Sequence, residues 1–247
     1  MRRRFFVDQI RNSQARIEGD DARHLTRVLR VEPGQRYEIS DNANVYLAEI
    51  ETAHKGLVVF QTIEKLPPPE PQARLILCAA LFKFDHFEWM IEKATELGVS
   101  EIVPVETVRS ERGLERAAHK RLERWRRIAL EASQQSRRAF LPEVQAPVSF
   151  DDLLKLDASH RYALDEEPGG SPLSAAFPST RRSTDSIALL VGPEGGWTDD
   201  ERAKFQPHHW TRVSLGPLIL RAETAAIAAL AIAGQAWLEK RTGTLTT

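Results

Sequence analysis

A single cysteine stands among the 247 residues, which excludes an intramolecular disulfide and any cysteine-based zinc site. That residue, Cys78, lies in the apolar run Leu75-Ile76-Leu77-Cys78-Ala79-Ala80-Leu81, where a thiol acts as a small core hydrophobe. The seven histidines are scattered and only His208 and His209 are adjacent. No His-x-x-x-His pair or carboxylate pattern accompanies them, so metal catalysis is not indicated. Long apolar runs are also missing. A membrane span needs roughly 20 such residues, and the most apolar stretch, residues 225–233, soon meets Gly234 and Gln235. The opening Met1-Arg2-Arg3-Arg4-Phe5-Phe6-Val7 begins like a signal peptide, but Asp8, Gln9 and Arg11 follow before an apolar region of useful length. These absences predict a soluble, cytoplasmic protein with no membrane partner and no metal. Neither Gly-x-Gly-x-x-Gly nor a Gly-Lys-Ser/Thr phosphate loop occurs, which disfavours a Rossmann dehydrogenase and a nucleotide kinase. No repeat of fixed period is present.

The composition, 42% hydrophobic and 28% charged, is that of one long or two ordinary globular domains with a real core. A net charge of −1 hides an uneven distribution. Residues 1–30 hold eight arginines against four carboxylates, and residues 109–138 hold nine arginines and Lys120 against four glutamates. Each segment alone reads most simply as a solvated helix face. Two such segments rich in Arg rather than Lys favour phosphate binding, because the guanidinium fork matches phosphate oxygens.

The first seventy residues read as mostly β. Residues 36–39, 45–50 and 57–60 alternate or run apolar between the turn formers Asp41-Asn42-Ala43-Asn44 and His54-Lys55-Gly56, which suggests a small barrel. Leu66-Pro67-Pro68-Pro69-Glu70-Pro71-Gln72 lacks four backbone donors and prefers extended backbone, so it reads as a semi-rigid linker. Domains are expected at 1–70 and 71–247. Beyond the linker, strands and helices alternate. Residues 74–81 form a buried strand, and 85–97 a helix stopped by Gly98. Residues 102–105 form a strand, and 119–136 a helix with an apolar stripe. Short strands follow at 162–164, 187–191 and 213–215. A helix opens at Thr198 with the capping box Thr198-x-x-Glu201, and an Ala-rich helix runs from about Glu223 to Lys240. This pattern predicts an α/β fold with a mainly parallel sheet.

Two strand-to-helix loops carry the chemistry. Leu189-Leu190-Val191-Gly192-Pro193-Glu194-Gly195-Gly196 ends a buried strand in a turn that lets backbone groups approach a ligand. Such a turn with no ligand reads equally well at this point. Ser214-Leu215-Gly216-Pro217-Leu218-Ile219-Leu220-Arg221-Ala222-Glu223-Thr224-Ala225 also leaves a strand and enters a helix, and two such loops in one parallel sheet suit the two walls of a crevice. Arg221 and Glu223 stand at that helix entrance, either as a surface pair favourable to the helix dipole or as catalytic groups.

These motifs resemble the signature of the bacterial 16S ribosomal RNA uridine-N3 methyltransferases of the SPOUT class. Similarity extends over nearly the whole chain through Arg4-Phe5-Phe6-Val7, His24-Leu25-Thr26-Arg27-Val28-Leu29-Arg30, Glu92-Lys93-Ala94-Thr95-Glu96-Leu97-Gly98-Val99, Arg109-Ser110 and Glu131-Ala132-Ser133-Gln134-Gln135-Ser136. The resemblance implies an N-terminal PUA-like β-barrel that binds RNA and a C-terminal SPOUT domain with a trefoil knot. It also implies a homodimer, S-adenosyl-L-methionine as cofactor, and 16S ribosomal RNA or the small ribosomal subunit as partner. The cofactor residues expected on this basis are Leu164, Leu190, Gly192, Pro193, Glu194, Gly195 and Gly196 on one side. Leu215, Gly216, Leu218, Ile219, Leu220, Thr224 and Ala225 supply the other. RNA contacts are expected from Arg3, Arg4, Arg23, Arg27 and Arg30, and from Lys83, Arg109, Arg112 and Arg138. The chain departs from the family pattern at Phe84, where Gly is usual, at Ala222, where Thr is usual, and at Leu218, where Arg is common.

Methyl transfer from a sulfonium needs in-line approach and little covalent help. Uracil N3 carries a proton at neutral pH, so the protein must remove it or stabilise the developing anion. Glu223 is expected as base or orienting group and Arg221 as electrostatic stabiliser. The alternatives are a SPOUT enzyme acting on a ribose or another base, and an RNA-binding assembly factor without catalysis.

Overall fold

The computed structural model describes residues 3–111, 113–167 and 169–239. The chain divides into two compact units. One runs to Glu70 and includes Ser133–Leu141, and the other comprises Pro71–Ala132 and continues from Pro142. A single cut after residue 70 therefore omits Ser133–Leu141. The N-terminal unit holds that segment by its backbone. Ser40 donates to the Ala139 carbonyl at 2.7 Å, Asn42 Oδ1 accepts from the Leu141 amide at 2.7 Å, and Arg4 donates to the Arg137 carbonyl at 2.8 Å.

The N-terminal unit contains β1 (Arg4–Phe6), β2 (Ile10–Arg11), β3 (Gln14–Glu18), α1 (Gly19–Arg27), β4 (Arg36–Ser40), β5 (Val45–His54) and β6 (Leu57–Lys65). They form one sheet in the order β1-β4-β5-β6-β3-β2, antiparallel except for β1 on β4. Two register shifts between β5 and β6 bend the ribbon. The sheet curls around Phe5, Ile17, Ile39, Ile50, Val58 and Phe60. The predicted strands are present and longer than expected. Helix α1 is an addition, its buried Ala22 and Leu25 one turn apart.

The larger unit contains β7 (Arg74–Ala80), α2 (Phe84–Glu96), β8 (Glu101–Glu106), α3 (Leu114–Gln135), β9 (Glu143–Val144), β10 (Val148–Ser149) and α4 (Phe150–Leu153). It continues with β11 (His160–Leu164), β12 (Ser171–Pro172), β13 (Ser186–Val191), α5 (Asp199–Phe205), β14 (Thr211–Ser214) and α6 (Ala222–Glu239). Lys240, the expected end of α6, lies outside the described residues. Every strand pairing in this unit is parallel, in the order β10-β8-β7-β13-β11-β14-β12 with β9 on β8. Helices cover both faces, which explains the continuous apolar runs. Leu75, Leu77 and Ala79 of β7 face one core with α2, α3 and α6, whereas Ile76 and Cys78 face a second core with Phe150, Trp197 and Phe205. Burial pushes the Cys78 thiol far up, so it stays protonated among hydrophobes. The small residues Ala226, Ala229 and Ala233 are fully buried and bring α6 close to the sheet. No helix among the described residues is long and apolar enough to cross a membrane.

The strand order is not the chain order. Strand β13 inserts between β7 and β11, and β14 adds beyond β11. The loops leaving β7, β11, β13 and β14 consequently meet at one edge of the sheet, where α/β folds bind ligands.

Candidate functional site

A cleft of about 610 Å³ opens at that edge, a volume suited to a small organic molecule. Lys83 and His86 line it after β7, Leu164, Asp165 and Glu166 at and after the end of β11, Val191 and residues 192–196 at the end of β13, and Ser214 to Gly216 with Leu218 to Ala222 and Ala225 after β14.

The loop after β13 is braced from several sides. A Cβ on Gly192 would lie 2.9 Å from the indole of Trp197. That indole is fully buried and donates from Nε1 to the Leu164 carbonyl at 2.8 Å, which ties the loop to β11. Gly196 has a φ of +69° and its amide closes a turn on the Pro193 carbonyl at 2.9 Å. A side chain there would run into the Glu166 carboxylate. Arg109 donates from Nη1 to the carbonyls of Gly195 and Trp197 at 2.8 and 3.2 Å. The capping box forms between Thr198 and Glu201, and the other Glu201 oxygen accepts from the Val108 amide at 3.0 Å. Behind Glu166, the fully buried carboxylate of Asp165 pairs with Arg202 at 3.1 Å and Arg212 at 2.7 Å.

The loop after β14 is held more lightly. Ser214 Oγ accepts from the Gly216 amide and donates to its carbonyl, both at 3.1 Å. Gly216 sits at φ +129° with open space around its Cα. Leu218 and Ile219 are 77% and 84% exposed. At the start of α6, Glu223 is 7% exposed. Its Oε1 lies 2.8 Å from His86 Nδ1, across from α2, and its Oε2 is buried without a hydrogen-bond partner. The partner of Glu223 is thus His86 rather than Arg221, because the first turn of α6 aims the carboxylate inward at α2 while Arg221 stays exposed on the cleft wall. The hydrogen bond with Glu223 pushes the His86 pKa up, the charges of Glu223 and Asp85 add to this, and Arg221 opposes it.

Most of the expected cofactor residues line the cleft. Leu190 does not, since alternation along β13 turns it into the second core, and exposed Thr224 points elsewhere. The expected RNA contacts separate. Arg4 is not available to phosphate, for its Nε and Nη2 engage Glu38 at 3.0 and 2.6 Å and its Nη1 the Arg137 carbonyl. Arg138 is half-buried, donates to the Phe140 carbonyl, and is pushed down to about 10 by burial, so it too is a structural cation. Arg23 pairs with Asp20 on the surface of α1. Arg3, Arg27, Arg30 and Lys83 are exposed. Arg109 is exposed as well, with one nitrogen committed to the cleft loop. Arg112 lies outside the described residues. Among the described residues no group of histidine, cysteine and carboxylates could hold a metal ion.

Trp197, Glu166 and His86 escape a reading of local pattern. Trp197 directly follows Gly196, the third glycine of its loop, a hint of packing against that loop. His86 carries no such signal, because the pairing with Glu223 spans 137 positions.

Residues 68–234 match the RNA methyltransferase domain family and residues 17–63 the RNA methyltransferase PUA domain family. The chain is 34% identical over 231 residues to the Synechocystis sp. ribosomal RNA small subunit methyltransferase E, covering 91% of this chain and 74% of the relative. It is 31% identical over 225 residues to the Bacillus subtilis protein of the same name, covering 87% of each. The crystal structure of the Neisseria gonorrhoeae ribosomal RNA small subunit methyltransferase E bound to S-adenosyl methionine superposes with a TM-score of 0.84 at 26% identity, covering 96% of this chain and 98% of that one. The two units are thereby a PUA-like curled sheet and an α/β domain of the SPOUT type.

Proposed function

The chain belongs to the ribosomal RNA small subunit methyltransferase E family, and from that premise we propose that it methylates N3 of a uridine in 16S ribosomal RNA with S-adenosyl-L-methionine. The observation that carries this reading is the cleft itself, walled by two Gly-Pro loops and bordered by a buried carboxylate paired with an imidazole.

The residues present fit the cofactor. Close packing of Gly192 on Trp197 brings backbone, not side chain, to the cleft surface, and Leu164, Leu215, Leu218 and Ile219 offer an apolar wall for a purine. When bound, S-adenosylmethionine supplies a methyl group on a positively charged sulfur. The protein's own contribution is positioning and charge. Exposed Arg221 stabilises the negative charge that develops on the uracil ring as N3 loses its proton, and Glu223 holds the group that handles the proton. Arg3, Arg27, Arg30, Lys83 and Arg109 contact phosphates. The same reading makes the protein a cytoplasmic homodimer that acts on the small ribosomal subunit, so light scattering is expected to report twice the 27.9 kDa chain mass.

The test is mass mapping of ribosomal RNA nucleosides from a deletion strain and from the same strain carrying this chain. Restoration of one N3-methyluridine is the expected result. A restored ribose methyl or a methyl on another base overturns the position of the chemistry, and no restored methyl with intact RNA binding overturns catalysis.

A further inference from the structure

Taking the uridine-N3 reading as its basis, the geometry points to His86 as the base that removes the N3 proton, with Glu223 acting through it as a positioning residue. A base must reach the proton it takes. Glu223 cannot, because it is 7% exposed, its Oε1 is engaged and its Oε2 is enclosed. His86 lines the cleft with a third of its side chain exposed.

The 2.8 Å contact decides the tautomer. The Glu223 carboxylate accepts from Nδ1–H, which leaves the lone pair on Nε2, the nitrogen on the other side of the ring. A buried carboxylate that orients a histidine in this way also stabilises the imidazolium once it forms. The second oxygen, without a donor of its own, leaves the negative charge of Glu223 uncompensated except by the ring. Other charges around His86 are few. Asp85 Oδ2 lies 3.7 Å from Nε2, beyond hydrogen-bond length, on its own helix. Arg221 faces it from the loop just before α6, and Lys83 and Glu166 line the same cleft. Arg221 and Asp85 act in opposite senses on the ring, and Glu223 dominates both.

In the step, neutral His86 takes the proton from N3 at Nε2. The N3 electron pair forms the bond to the methyl carbon as the carbon–sulfur bond breaks, and the electron pair of that bond stays on sulfur. The imidazolium then returns its proton to solvent. No metal or further reactant enters.

The raised His86 pKa makes a signed prediction. The base works only when neutral, so the single-turnover rate on small subunits should rise with pH through an inflection above the ordinary histidine value. Glu223→Gln should move that inflection to lower pH, because it removes the charge that holds the proton on the ring. His86→Ala should abolish the inflection and lower the rate by roughly 10²–10⁴-fold at neutral pH, while added imidazole restores part of it. Calorimetry should give His86→Ala and His86→Gln wild-type cofactor affinity, which separates lost chemistry from a lost fold. Nuclear magnetic resonance titration of the ring nitrogens in the protein without RNA should show the same raised value and its fall in Glu223→Gln. The inference is overturned if His86→Ala keeps the wild-type rate and inflection, or if the ring titrates at the ordinary value. Failure of the N3 reading looks different, for there the wild-type protein itself would leave its methyl at another position.

Discussion

The two Gly-Pro loops that wall the cleft have nearly the same sequence logic and quite different physics. After β13, Gly192 is needed because the indole of Trp197 fills the place of its Cβ, and the loop is pinned by Arg109 and by Glu201 through Val108. After β14, Gly216 has empty space around it and is needed for its backbone angle of +129°, while Leu218 and Ile219 stand out into solvent. One loop is braced by side chains from several sides, and the other is held chiefly by Ser214. A glycine in a binding loop can therefore be required by its neighbours or by its own dihedral, and substitution tells the two apart.

The comparison predicts a graded series. Gly192→Val should have the largest effect, because Trp197 is wedged against Phe150 and Phe205 and cannot retreat. Calorimetry should detect no cofactor binding, and thermal unfolding should show a loss of about 1–3 kcal/mol from overpacking. Near-native stability with bound cofactor would show that the indole is mobile and does not brace the loop. Trp197→Phe keeps much of the packing but removes the donor to the buried Leu164 carbonyl, at about 1–3 kcal/mol, with cofactor affinity falling alongside stability.

Gly216→Ala should behave in the opposite sense. The strain is about 1 kcal/mol, local to an exposed loop, so the melting temperature should barely move while cofactor affinity drops, since a lightly held loop can relax when empty but must adopt its geometry when bound. Equal losses of stability and affinity would put the two loops in one class. Arg109→Ala releases two carbonyls near solvent and should weaken binding by about 0.5–1.5 kcal/mol. Smallest for the cleft is Arg27→Ala combined with Arg30→Ala in the other unit. Cofactor affinity should be unchanged and stability within about 0.5 kcal/mol, whereas the salt dependence of RNA binding should flatten by about 1 for each phosphate no longer neutralised. An unchanged salt slope would make these arginines a solvated face.

Much of the α/β unit was legible because its signals are local. The apolar run of β7 needs cover on both faces, the Thr198-x-x-Glu201 spacing closes a capping box, and the alanines of α6 announce close packing. Helix α1 was not legible, for it is short, rich in charge and buries little beyond Ala22 and Leu25. The place of Ser133–Leu141 was not either, because it is captured through backbone groups, whose hydrogen-bonding capacity is the same in every sequence. Within the basic segments, composition alone treated all arginines alike. Arg4 and Arg138 proved to be engaged at home; the distant partners Glu38 and Arg137 reveal it for Arg4, and burial in the folded chain reveals it for Arg138.

The amino-acid sequence by itself determined the two-part layout, the parallel α/β class and the pair of Gly-Pro loops, since each rests on periodicity and residue type within a dozen positions. Which side chains meet in the cleft was decided only by the tertiary structure. The insertion of β13 between β7 and β11 carries the ends of four strands to one edge, and the packing of α2 on α6 puts His86 on Glu223. Such meetings depend on strand order and helix contact over more than a hundred residues, where local propensity carries no information.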